Sequence, residues 1–277
     1  MKTRTDAQSN LASTAHWTAA VRGLETDRAD RLFSDPWATS LAGEQGAAWL
    51  AERPVDSVIP IVLCTRYFDD FMMRITTQEA IQQIVLLAAG LDTRAFRLGL
   101  PARTQVFELD QPAVLQHKEQ VLRLVGAQPV CRRKLIEVNL TGGWQGALVQ
   151  AGFYSDCPSG WLLEGFLFYL PNERITQILD YVSNLAAPAS WLGFDIINHD
   201  VLCSPWTRPW VDMQASYGAP WIGYLDDPIA FLAECGWEVT LSQAGQPEAN
   251  FGRWKLPVIP VTQPDIPHNW YVVARKA

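Results

Sequence analysis

Cysteine is scarce in this chain and poorly spaced for chemistry. Its five cysteines (Cys64, Cys131, Cys157, Cys203, Cys235) are odd in number, scattered and without a C-x-x-C pair. That excludes a disulfide framework and a thiolate zinc site, and reads as reduced thiols. The four histidines (His16, His117, His199, His268) show no ligand spacing, so no metal is expected. No apolar run approaches the roughly 18 residues that a membrane helix needs. The opening MKTRTDAQSNLAST has no apolar signal-peptide core, so a cytoplasmic location is the expectation, with no membrane partner. Without secretion, the Asn139-Leu140-Thr141 sequon carries no meaning. Basic residues are also outnumbered: 22 Lys and Arg stand against 29 Asp and Glu, a formal net charge of −7. Duplex binding needs a basic face, so nucleic acid is not an expected partner. Internal repeats and low-complexity tracts are missing as well.

What remains is a soluble globular composition, 48% hydrophobic and 18% charged over 277 residues, long enough to bury a sizeable core. Residues from about 14 to 71 read as helices separated by turns, with breaks at Asp35-Pro36 and Arg53-Pro54. In the last of these helices Cys64, Phe68, Phe71, Met72 and Ile75 recur at helical spacing, and Arg66 falls off that stripe. From Ile84 onward, strands and helices alternate. Strands are expected over 84–88, 105–109, 133–138, 161–164 and 191–197, with closing strands near 238–242 and 270–274. Between them Pro112, Pro171 and Asp227-Pro228 open helices, while Gly126 and Gly236 end two of them. This order implies an α/β fold, doubly wound around a mostly parallel seven-stranded sheet. Residues 1–80 are expected to form an N-terminal helical lid. Residues 81–277 form the main domain, with cap insertions at about 200–225 and 245–268.

Ligands in such sheets lie across the carboxyl ends of the strands. The most informative stretch is therefore IVLLAAGLDTRAFRLGLPARTQVFELD. A strand runs into the small-residue turn Ala88-Ala89-Gly90, and a carboxylate, Asp110, closes the next strand. That arrangement suits a nucleoside ribose. The turn AAGLDTR is neither G-x-G-x-x-G nor a P-loop, so a phosphate-free nucleoside, S-adenosyl-L-methionine, fits better than a dinucleotide. Asp110 suits the ribose hydroxyls, Asn139 with the Leu140 backbone suits adenine, and Gln111 adjoins them. Asp110 can equally cap the following helix. Glu164 sits on an apolar strand, where a carboxylate needs a partner. Asp92 and Arg94 read as a local structural pair.

LLAAGLDTRAFRL, VFELDQPAVLQHK and LLEGFLFYLP together resemble the leucine carboxyl methyltransferase family of class I S-adenosylmethionine enzymes. TAAVRGLE, LFSDPWA and CTRYFDD are similar to its N-terminal blocks. The ending ANFGRW…PVIPV…YVVARK resembles a bacterial branch of polyketide O-methyltransferases. The resemblance spans about residues 18–275. It implies that Arg66 meets the cofactor carboxylate and that Arg22 adds a second cation there. It further implies that Gly90 lines the methionine part, Asp110 holds the ribose and Glu164 faces the ammonium. Asn139-Leu140 stands where the family has an Asp-Leu pair, a departure that removes a charge at the adenine.

The acceptor is less legible. Tryptophans crowd into Trp206, Trp210 and Trp221, with Trp254 further on; they read either as core or as an aromatic wall for a flat ligand. A carboxylate, with a pKa of about 4, needs no general base, whereas a phenol at about 10 benefits from one. His199, after the fifth strand, is the expected base in the second case. Arg253 can clamp a substrate carboxylate or merely tie down its proline-rich loop. Three readings follow: esterification of an aromatic or polyketide-like small acid in secondary metabolism, hydroxyl methylation through His199, or cofactor binding without methyl transfer.

Overall fold

A computed structural model describes residues 4–53 and 55–277, and the side chains of 14–53 and 57–277. The first three residues of the expected N-terminal unit, and Pro54 of the expected Arg53-Pro54 break, lie outside the described residues. Three helices come first: α1 (Arg4–Thr26), α2 (Ala38–Ala51) and α3 (Ile59–Thr77). Then follow β1 (Gln83–Leu87), α4 (Arg94–Arg97), β2 (Gln105–Asp110), α5 (Pro112–Leu124), β3 (Arg132–Glu137), α6 (Gln145–Gln150) and β4 (Ser159–Leu163). The chain continues through α7 (Asn172–Leu185), β5 (Trp191–Ile197), α8 (His199–Cys203), α9 (Arg208–Ser216), α10 (Pro228–Glu234), β6 (Trp237–Gln243) and β7 (Asn269–Lys276).

The seven strands form one sheet in the order β3-β2-β1-β4-β5-β7-β6, parallel except for β7, which runs antiparallel between β5 and β6. The order reverses at β1, with β2 on one side and β4 on the other, so a crevice opens at their carboxyl ends. β1 and β4 are buried along their whole length, as central parallel strands covered on both faces must be. The edge strand β3 carries the charged Arg132, Lys134 and Glu137 on its exposed positions, which blunts it against further pairing.

The strand ends differ slightly from the spacing-based expectation. β1 stops at Leu87 because Ala88 takes a φ of +54°, outside the extended region. β4 starts earlier and ends at Leu163, so Glu164 hangs just past the strand. The expected α3 stripe of Cys64, Phe68, Phe71, Met72 and Ile75 is buried, and α7 turns Ile175, Ile178, Leu179 and Val182 into the core. Asp227 caps α10 by accepting from the Ala230 amide at 2.8 Å. The expected cap at 200–225 is not all loop, because α9 lies within it. Among the described residues, no helix is long and apolar enough to cross a membrane.

Candidate active site

The carboxyl ends of β1, β2, β4 and β5 converge with α1 and α3 on a cavity of about 260 Å³. Its first wall is the turn after β1. Ala88 and Gly90 both take positive φ, +54° and +48°, a conformation natural for glycine and strained for alanine. The turn aims the Gly90 amide at Asp110, whose Oδ2 accepts from it at 2.7 Å. Asp110 Oδ1 accepts from the Gln111 amide at 2.6 Å. Burial pushes the Asp110 carboxyl up, against the pull of these two bonds. Each oxygen keeps a second acceptor site for a ligand hydroxyl. Asn139 and Leu140 follow β3 on the same wall. Asn139 Oδ1 accepts from the amide and hydroxyl of Thr141 at 3.0 and 2.8 Å, which rigidifies the turn.

A charged floor lies beside this wall. Arg94, at the start of α4, donates to Asp69 at 2.7 Å and pairs with Asp92 and, at 2.6 Å, with Glu164. It is more than a local partner of Asp92, because it bridges α3, the β1 turn and the end of β4. Burial raises the Asp92 carboxyl, but Arg94, Lys118 and Arg97 outweigh it and hold the group well below its usual range. Glu164 also accepts from the Thr65 hydroxyl at 3.2 Å. Arg22 of α1 lines the cavity while its Nε donates to Asp35 at 2.9 Å and its Nη2 to the Leu91 carbonyl at 2.6 Å.

The other half of the cavity is aromatic. Trp17 packs on Trp210, Trp210 on Trp221 and Trp221 on Phe168, with ring centroids 6.4, 6.2 and 4.6 Å apart, and all four line the space. Tyr169 joins them, its hydroxyl pushed up to about 12 by burial. Trp206 and Trp254 do not line the cavity, and Trp206 is 83% exposed.

Of the residues singled out in the sequence, Arg22, Gly90, Asp110, Gln111, Asn139, Leu140 and Glu164 meet in this one space. Three others do not. Arg66 belongs to α3, whose residues Ile61, Cys64 and Thr65 face the cavity. One residue further turns the helix about 100° away, and Arg66 instead binds Asp70 at 2.9 Å and the Leu32 carbonyl at 2.6 Å. His199 is exposed because α8 turns outward after Asn198, which donates to the Ile266 carbonyl. Its ring lies 4.8 Å from that of Tyr224, and its Nε2 is 3.4 Å from Cys203 Sγ. Arg253 reaches to the end of α1, where Glu25 accepts at 3.0 Å and the Asp30 carbonyl also accepts. It ties its loop to the body.

Sequence spacing missed Asp195, on β5, which lines the cavity and accepts from the Gly165 amide at 2.6 Å. With no cation paired to it, burial pushes its carboxyl up to about 7, and Glu164 adds repulsion. The signal was present: a carboxylate in the apolar run FDII has the same oddity as Glu164. Among the described residues, no histidine lines the cavity and no group of His, Cys, Asp and Glu could hold a metal ion.

A sequence model of leucine carboxyl methyltransferase matches residues 15–183. The chain belongs to that family. A protein of Mycolicibacterium smegmatis named as an S-adenosyl-L-methionine-dependent methyltransferase is 34% identical over 91% of this chain and 91% of its own. One of Streptomyces coelicolor with the same description is 34% identical over 92% and 91%. In fold, the chain is similar to a DUF574 family protein of Streptomyces avermitilis, with a TM-score of 0.58, 16% identity, and 94% and 97% of the two chains covered. It is also similar to a magnesium protoporphyrin IX methyltransferase of Synechocystis PCC 6803 solved with bound S-adenosylhomocysteine, with a TM-score of 0.50, 10% identity, and 81% and 89% covered.

This leucine carboxyl methyltransferase family member is thus an S-adenosyl-L-methionine-dependent enzyme with the class I fold. Its cavity fits the cofactor chemically. A half-buried carboxylate, Asp110, with acceptor sites to spare stands at the end of β2, and a second carboxylate, Glu164, stands just past the end of β4. Between them the cofactor needs a close backbone approach, which the positive-φ turn through Gly90 provides.

Proposed function

We propose that this enzyme is an O-methyltransferase that esterifies a carboxylate of an aromatic or polyketide-like small molecule of secondary metabolism. The observation that carries this reading is the division of one cavity into a polar half and an aromatic half without a histidine in either. In the polar half Asp110 takes the ribose hydroxyls, Asn139 and Leu140 border adenine, Glu164 faces the ammonium and Arg22 the carboxylate. Gly90 and Gln111 complete that wall. The bound cofactor supplies a methyl on a sulfonium, an excellent leaving group. The chain's own task is then to hold the acceptor oxygen in line and exclude water. The aromatic half suits a flat acceptor, and residues 1–80 act as its helical lid over the domain formed by 81–277. An ionised carboxylate needs no proton removed, which agrees with the absence of a histidine base.

A second reading has its own support. Asp195 lines the cavity with its carboxyl near 7, where a general base works best. It could serve a hydroxyl acceptor in the role that His199 is too remote to fill.

The test is incubation of the enzyme and S-adenosyl-L-methionine with matched aromatic acids and phenols, with products read by mass spectrometry before and after mild alkali. Alkali-labile methyl esters are expected. Their formation should persist within about tenfold in Asp195→Asn and His199→Ala. Alkali-stable ethers, lost by roughly 100-fold or more in Asp195→Asn, would establish the hydroxyl reading instead.

A further inference from the structure

Arg53, two residues past the end of α2, is a buried charge. It is 6% exposed, and its Nε, Nη1 and Nη2 find no hydrogen-bond partner among the described residues. Instead the guanidinium lies in an aromatic cage. Its central carbon is 3.7 Å from the Trp17 ring centroid, 4.3 Å from Tyr217 and 4.8 Å from Trp49. Ring faces attract a cation, but they accept none of its five N–H groups in the plane of the fork. A guanidinium cannot escape the cost by losing its proton, and a buried charge without an anion is costly. Among the described residues no anion hydrogen-bonds it, and Glu52 acts on it only through charge.

The cage adjoins the aromatic half of the cavity. Trp17 lines the cavity and also carries Arg53 against its ring, while Arg53 itself is not among the lining residues. The Trp17 indole nitrogen is itself buried and without an acceptor, although an N–H of this kind normally finds one. α9 completes the group, with Trp210 and Gln214 on one face and Tyr217 at the position just past its end. Gln214 is 1% exposed, lines the cavity, and has an Oε1 with no donor. Three helices thus bring together two orphaned donor groups, one orphaned acceptor and one positive charge.

We infer that this cluster is a recognition subsite for an anionic group of the acceptor, a carboxylate seated at the edge of Trp17 with Arg53 behind it. The inference rests on the aromatic half being the acceptor pocket. A carboxylate can accept from the indole N–H while the Arg53 guanidinium behind the ring acts on it through charge, and Gln214 can meet a hydroxyl or amide N–H beside it. Arg53 acts as a specificity-determining residue, one that selects acids over neutral molecules of the same shape.

The test is calorimetric titration of the full chain, saturated with S-adenosylhomocysteine, with a naphthalene carboxylate and with the corresponding carboxamide. The wild type is expected to bind the carboxylate at least about tenfold tighter than the carboxamide. Arg53→Met should remove that preference while carboxamide and S-adenosylhomocysteine affinities stay within about twofold. Should Arg53→Met fail to bind S-adenosylhomocysteine, Arg53→Gln carries the same comparison with a stacking amide in place. A wild type that binds both probes equally, or a variant that keeps the full preference, overturns the subsite and leaves the acceptor pocket standing. A wild type that binds S-adenosylhomocysteine but neither probe overturns the acceptor pocket, and the subsite with it.

Discussion

Asp195 shows what burial alone does to a carboxylate. It sits on β5 with one amide bond and no cation, and burial pushes it up to about 7. In the unfolded chain the same group titrates at about 4. Between these values the folded state holds a proton that the unfolded state releases, so stability falls as pH rises through this window and levels off above 7. The slope from this one group is at most about 1.4 kcal/mol per pH unit. Urea unfolding of the wild type and Asp195→Asn from pH 5 to 8 should therefore diverge, with the variant flatter. Parallel curves would mean that the group titrates normally. Asp195 went unread in the sequence because its place in a strand looks like core. Gly90 and Asp110 were readable because a parallel sheet delivers ligand-facing groups at its strand ends, where a small-residue turn and a carboxylate stood out.

Elements carry their own charge network. Glu108 of β2 is fully buried and accepts from Lys118 of α5 at 2.7 Å and from Arg133 of β3 at 2.6 Å. Burial raises its carboxyl, but the two cations more than compensate and hold it below its usual range. The triad welds β2 to its helix and to the edge strand, behind the wall that holds Asp110. Glu108→Gln would leave Lys118, also fully buried, without its anion, at a cost of roughly 3–5 kcal/mol. Chemical denaturation checks this; a loss below about 1 kcal/mol would show that the cations find water. The pairing was invisible in the sequence because Glu108, Lys118 and Arg133 belong to three different elements. The helices themselves were legible, since stripes such as Ile175, Ile178, Leu179 and Val182 announce their period. α9 was not, because the residue it buries is the polar Gln214 rather than an apolar stripe.

The whole enzyme depends on how closely α1 and α2 meet. Gly46 of α2 faces the backbone of α1, where an added Cβ would stand 2.4 Å from the His16 carbonyl oxygen. α1 brings Thr14, Ala15, Trp17, Thr18 and Arg22 to the cavity. Gly46→Ala should therefore push the helices apart, destabilise by about 1–3 kcal/mol, and weaken S-adenosylhomocysteine binding by calorimetry. Saturating ligand should recover part of the lost melting temperature, since binding stabilises the folded state by mass action. A variant with unchanged affinity would show that α1 can shift without cost to the cofactor half.

The doubly wound sheet, its seven strands and the strand-end residues that line the cavity were legible in the chain. Hydrophobic period sets strand and helix locally, and a parallel sheet can deliver ligand-facing groups only at its carboxyl ends. Gly90, Asp110, Asn139 and Glu164 follow from that rule. Arg66, His199 and Arg253 do not, because each lies on a helix or loop whose rotation, and whose competing partners in Asp70, Tyr224 and Glu25, arise only from packing. Arg53 is the converse. Nothing in its spacing marks it, yet three helices enclose it in aromatic rings and leave its N–H groups without acceptors among the described residues, because burial and hydrogen-bond partners are properties of the folded chain alone.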